Sequence, residues 1–139
     1  MTDRRLLSDD MFVRLCRSRE YIGDYANTSV SLDRAARVAC LSKFHYLRMF
    51  ATAFGETPGE FSTRLRMERA RALLLANNHT VTAVCMEIGY DSVATFSNRF
   101  RRFAGASPSE LQRRARTSLA MPSMAAIYNV PSCFFLSNL

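Results

Sequence analysis

The chain carries one short pattern twice, and the second copy lies fifty residues after the first. CLSKFHYLRMFATAFGETPGEF, starting at Cys40, lies over YDSVATFSNRFRRFAGASPSEL, starting at Tyr90. Ser42 falls on Ser92, Phe50 on Phe100, Gly55 on Gly105, Pro58 on Pro108 and Glu60 on Glu110. Tyr46 meets Phe96, Val38 meets Ile88 and Phe61 meets Leu111. A chain with this internal symmetry must fold as two like units. Each copy reads as a short helix, a tight turn and a longer helix, which is the pattern of a helix-turn-helix.

No strand-like alternation persists anywhere, and the apolar spacing is helical almost throughout. The spacing predicts helices over 9–26, 32–38, 42–54, 58–77, 81–88, 92–104 and 108–116. The expected fold is therefore all-α, with about seven helices: two helix-turn-helix subdomains joined by a long linker helix. The expected division is an N-terminal extension at 1–8, a first subdomain at 9–56, a linker helix at 57–78, a second subdomain at 79–116 and a tail at 117–139. Thr57-Pro58-Gly59-Glu60 and Ser107-Pro108-Ser109-Glu110 both read as capping boxes with Pro in the first helical position. Gly55 and Gly105 suit the positive φ that ends a helix. The tail carries no charge, two prolines and several apolar residues, and residues 128–136 are expected to pack back on the domain.

The helical wheel assigns faces. On the first helix Phe12, Leu15, Ile22 and Tyr25 share one side, and on the second Leu32, Ala35, Ala36 and Val38 do. In the first repeat Tyr46, Met49, Phe50 and Phe54 form the core side, and Lys43, Phe44, Leu47, Arg48 and Ala51 the outer side. In the second repeat Phe96, Phe100 and Phe103 face the core, and Val93, Ala94, Ser97, Asn98 and Arg101 face out.

Charge points to the partner. Lys and Arg outnumber Asp and Glu by 19 to 12, the pI is near 9.8, and Lys43 is the only lysine. Arginine's planar fork matches phosphates and guanine edges, so a polyanion is the expected partner. The linker helix, at about 20 residues and ~1.5 Å per residue, spans ~30 Å. That is close to the ~34 Å between successive major-groove openings on one face of B-DNA.

Other chemistries find little here. Cys16, Cys40, Cys85 and Cys133 are scattered, no pair has CxxC spacing, and His45 and His79 are the only histidines, so no metal site is expected. Cys16, Cys40 and Cys85 lie in apolar helical patterns and are expected to be buried free thiols in a reducing cytoplasm. No signal peptide, membrane-length apolar run or phosphate-binding glycine loop is visible. With no nucleophile–base or paired-carboxylate constellation, the residues argue against an enzyme, and no cofactor is expected.

LDRAARVACLSKFHYLRMFATAFGETP, RLRMERARALLL and VTAVCMEIGYDSVATFSNRFRRFAGASPSEL together resemble the DNA-binding domain of the arabinose-regulator (AraC/XylS) family of bacterial transcription factors. The resemblance runs over about 9–115. It implies a sequence-specific regulator, an activator by preference, acting as a monomer on double-stranded DNA, with two recognition helices in adjacent major grooves. Carried over residue by residue, it implies base contacts from Lys43, Phe44, Leu47 and Arg48, and from Val93, Ala94, Ser97 and Asn98. Arg48 suits a guanine edge, Asn98 an adenine, and Val93 and Ala94 a thymine methyl. Arg99, Arg101, Arg102 and Arg113 are expected on phosphates. Arg64, Arg66, Arg69 and Arg71 suit either phosphates or pairing with Glu60 or Glu68. The resemblance also implies the small stand-alone type without an effector domain, cytoplasmic and nucleoid-associated, with RNA polymerase as the partner that activation requires. The rival reading is a protein-interaction module that contacts polymerase or another factor without reading DNA. The apolar Val93–Ala94 surface and the uncharged tail leave room for it.

Overall fold

A computed structural model describes residues 7–26 and 30–119. Among them are seven helices and no strand: α1 (Asp9–Asp24), α2 (Leu32–Val38), α3 (Lys43–Phe54), α4 (Pro58–Ala76), α5 (Val81–Glu87), α6 (Val93–Ala104) and α7 (Pro108–Leu119). The N-terminal helix ends two residues earlier than the spacing predicts, and α7 runs three residues past the predicted end at Arg116. The expected packing of 128–136 lies outside the described residues.

Local chemistry sets the ends. Ser8, Ser42, Thr57, Thr80 and Ser92 each accept a hydrogen bond from the amide three residues on, satisfying a donor that a helix start leaves unpaired. The Thr57 box is complete: Thr57 Oγ1 accepts from Glu60 N–H at 3.2 Å, and the Glu60 carboxylate accepts from Thr57 N–H at 2.8 Å. That backbone bond holds the Glu60 carboxyl below its ordinary range. The second box is only half made. Ser107 Oγ accepts from Glu110 N–H, but the Glu110 carboxylate accepts from Arg114 one turn on, at 2.7 Å. A guanidinium one turn on is a stronger donor than a neutral amide, so the ion pair takes the acceptor. Gly55 and Gly105 close α3 and α6 at φ 75° and 76°.

Two hydrophobic clusters form, and they reveal a larger repeat than the sequence comparison does. The first contains Leu15 and Ile22 of α1, Ala35 and Ala36 of α2, Ala39, Tyr46 and Phe50 of α3, and Phe61 of α4. The second contains Met67, Ala70 and Leu74 of α4, Val84 and Cys85 of α5, Ile88, Tyr90, and Phe96 and Phe100 of α6. The buried side of α1 (Leu15, Ser18, Ile22) thus recurs in α4 as Met67, Ala70, Leu74. The repeating unit is three helices, α1–α3 and α4–α6. A two-helix hairpin cannot close a core on its own, and the third helix supplies the missing wall. Helix α4 serves both units, with Phe61 in the first core and its later turns in the second.

Several assigned faces need correction. Val38 does not match Ile88: Val38 is exposed, and the fully buried partner of Ile88 is Ala39. The turn explains this. Leu41 N–H bonds to Ala36 O in the first unit, and Tyr90 N–H bonds to Cys85 O in the second. The helices before the turn therefore match at a spacing of forty-nine, and Asp91 is one extra residue in the second turn. Tyr25, expected inside, is exposed beside Tyr21, and Phe103 lies at the surface edge. Among the thiols of the described residues only Cys85 is buried; Cys16 is half-buried and Cys40 exposed. A wheel gives direction around a helix, but not where the neighbouring helix stops covering it.

The exposed position of Cys40 has a backbone cause. It occupies the left-handed region at φ 55°, where the second unit has Gly89 at φ 80°. An L side chain there costs about 1 kcal/mol or more against glycine. Cys40→Gly is expected to raise stability by about 0.5–1 kcal/mol, the remainder going to the freer unfolded chain. A urea unfolding midpoint that falls on substitution would refute this.

Candidate nucleic-acid interface

Helices α3 and α6 are mounted alike. Tyr46 and Phe50 of α3 are fully buried, as are Phe96 and Phe100 of α6, so each helix is pinned along one side. The opposite sides present matched positions: Lys43 with Val93, Phe44 with Ala94, Leu47 with Ser97, Arg48 with Asn98 and Ala51 with Arg101. Phe44 is 81% exposed and Val93 39%; Arg48, Ala94 and Asn98 are exposed; Leu47 and Ser97 are half-buried. An aromatic ring left that open in the first turn of a helix gains nothing from the fold that carries it.

The basic residues divide by what already holds them. Lys43 lies 3.8 Å from Asp33, a loose pair on an open surface. Among the described residues Arg48, Arg101, Arg102 and Arg113 make no ion pair, and Arg99 lies over the Tyr90 ring at 5.9 Å. The linker-helix arginines are mostly engaged within the protein. Arg64 bonds Glu56 at 2.7 Å and Glu68 at 3.0 Å, and these carboxylates, Glu56 foremost, raise its already high pKa. Arg69 pairs with Glu87 of α5. Arg66 caps a turn. The pairing partners are thus Glu56, Glu68 and Glu87; Glu60 is held by its own cap. Arg71 makes no ion pair among the described residues.

The turn-capping arginines were not anticipated. Arg14 of α1 donates through Nη1 to Ala39 O at 3.3 Å and Cys40 O at 3.5 Å, with its Nε 3.0 Å from Asp10. Arg66 of α4 donates through Nε to Ile88 O at 2.9 Å and through Nη2 to Gly89 O at 2.7 Å, with its guanidinium over the Tyr90 ring at 4.3 Å. The carbonyl pairs are equivalent in the two units. Each arginine neutralises the carbonyl end of the short helix, where the helix dipole is negative, and ties the turn to the first helix of its unit. The signal was present in the sequence: Val13-Arg14-Leu15 and Leu65-Arg66-Met67 place an arginine directly before matched core residues. Arg34 and Arg37 on α2 are further exposed arginines without an ion pair among the described residues; α5 has none.

A family profile described as a helix-turn-helix domain matches residues 35–114. The regulatory protein SoxS of Salmonella typhimurium is 30% identical over 95 residues, which is 68% of this chain and 89% of that protein. The chain belongs to the AraC-type helix-turn-helix family. It is also similar to the MmsAB operon regulatory protein of Pseudomonas aeruginosa, at 32% identity over 96 residues, 69% of this chain. It spans only 31% of the length of that relative, and similarly small shares of other long ones. Among solved structures, a probable AraC family transcriptional regulator from Rhodopseudomonas palustris superposes with a TM-score of 0.68 at 25% identity, covering 74% of this chain and 97% of that one. The all-α architecture with paired helix-turn-helix units is therefore that of the AraC-type DNA-binding domain.

Proposed function

We propose that this chain is a sequence-specific, DNA-binding transcriptional regulator that acts as a monomer on duplex DNA, with α3 and α6 in adjacent major-groove segments. The observation that carries the proposal is the duplicated mounting: two helices with a buried aromatic pair at the same two positions, the same arginine-capped turn and the same outward positions. Helix α4 has nineteen residues, hence a length of about 28 Å, and contributes to both cores. That suits two reading heads about one helical turn of DNA apart. Lys43, Phe44, Leu47 and Arg48 read bases from α3, and Val93, Ala94, Ser97 and Asn98 from α6. Arg99, Arg101, Arg102 and Arg113 hold phosphates, and Arg34 and Arg37 extend that grip along α2. RNA polymerase is the protein partner, contacted while the domain is on DNA. The relatives named above are regulators, which supports a binding protein over an enzyme.

Selection of sites from random duplex DNA at about 150 mM salt tests this, since weak non-specific binding is suppressed there. The expected product is a motif of two blocks roughly one helical turn apart. Arg48→Ala is expected to relax one block and to cost about 1–3 kcal/mol on the selected site. Arg102→Ala is expected to weaken all duplexes alike and to lower the salt slope by about 1. Enrichment of no motif would sink the proposal.

A further inference from the structure

The two reading surfaces are matched in position and different in chemistry. At the central outward position α3 has Arg48 and α6 has Asn98, both exposed, and Arg48 is in no ion pair among the described residues. Arginine's fork fits the two acceptors of guanine, O6 and N7; asparagine's amide fits the donor–acceptor pair of adenine, N6 and N7. In the first turn of α6, Val93 and Ala94 offer only methyl groups to a groove floor. The one base-edge methyl in DNA belongs to thymine. Arg99, the α6 cation nearest that first turn, lies against Tyr90. Arg101 stands where α3 has Ala51, two turns from the start of the helix.

We infer that the operator is asymmetric: the segment under α6 consists of A·T pairs, with an adenine held by Asn98 and thymine methyls packed on Val93 and Ala94, and the specifying guanine lies under α3 on Arg48. This rests on the two-headed DNA reading proposed above and adds which bases each head takes. Two heads matched in position but different in chemistry then fix which unit lies over which end of the site.

The test is site selection with the wild-type chain and with Asn98→Arg and Arg48→Asn, together with binding to selected duplexes in which deoxyuridine replaces thymine one block at a time. Both substituted residues are exposed and outside the two cores, so folding is not at stake. Wild type is expected to select an A·T block and a guanine-containing block. Asn98→Arg is expected to change one adenine to guanine in the A·T block and leave the other block as it was; Arg48→Asn does the converse. Loss of each contacted thymine methyl weakens binding about fourfold, the usual worth of a buried methyl-sized group. If wild type selects two blocks and Asn98→Arg strengthens all duplexes equally, position 98 faces phosphate and the inference falls while the two-headed reading stands. A guanine in the α6 block that disappears with Arg101→Ala would likewise overturn it, with Arg101 as the reader. Absence of any wild-type motif would remove both the inference and the reading beneath it.

Discussion

Arg66→Ala is expected to destabilise the chain by about 2–3 kcal/mol, a large effect for a residue that is only half-buried. Two short bonds to the Ile88 and Gly89 carbonyls are lost, along with stacking on Tyr90. Hydrogen bonds from a charged donor contribute about 1.5–3 kcal/mol each and a partly exposed cation–π contact about 0.5–1. Competition from water at a half-exposed guanidinium brings the sum down. Arg66→Lys is expected to recover under half, because an ammonium cannot span both carbonyls as the planar fork does. The equivalent Arg14→Ala is expected to cost less, about 1 kcal/mol, since its bonds at 3.3 and 3.5 Å are near the limit of useful length. Urea unfolding gives the energies. The functional consequence is separate: with Arg66 gone the turn before α6 is freed, so DNA affinity should fall by more than the removal of one positive charge explains. Equal losses for Arg14→Ala and Arg66→Ala would show that the bond geometry is not what matters.

The second large effect concerns a polar group inside the first core. Ser18 is fully buried, with its Oγ 2.8 Å from Ala35 O and 2.7 Å from the Tyr46 hydroxyl. A hydroxyl has one proton, and a carbonyl only accepts. Ser18 therefore donates to Ala35 O, and Tyr46 donates to Ser18 Oγ. Burial pushes the Tyr46 phenol above its ordinary pKa, so it keeps the proton it donates. Ser18→Ala strands that hydroxyl and is expected to cost about 2 kcal/mol. Tyr46→Phe leaves Ser18 its carbonyl partner and should cost about 1. The double variant should cost about 1 to 1.5, well short of the sum, because removing both members leaves nothing unsatisfied. The molecule already contains that solution. At the matching positions of the second unit stand Ala70 and Phe96, both fully buried. Strict additivity of the two single changes would mean that the hydroxyls are not coupled.

Much of this architecture was legible. The helix starts at Ser42, Thr57 and Ser92 and the stops at Gly55 and Gly105 follow from local chemistry acting within a few residues. The fifty-residue pattern showed that the structure is duplicated. It did not show the size of the duplicated unit. Leu15 and Met67, or Ser18 and Ala70, fill the same places, yet packing conserves volume and burial, not letters, so a comparison of residue types passes over them. The shift of spacing at the second turn was hidden for a similar reason: Val38 and Ile88 look alike, but the added Asp91 makes Ala39 the true counterpart.

For the candidate interface, the sequence by itself determined which residues share the outer sides of α3 and α6, because a 3.6-residue period needs only the positions of the buried aromatics. It also determined the basic balance that favours a polyanion. Only the tertiary structure decided which arginines remain available. Arg48, Arg101 and Arg102 look no different in the chain from Arg64, Arg66 and Arg69, but the latter three meet Glu56, Glu68, Glu87 and the turn carbonyls once α4 lies against its neighbours. A guanidinium reaches a partner wherever packing places one, and most of these partners lie in other elements.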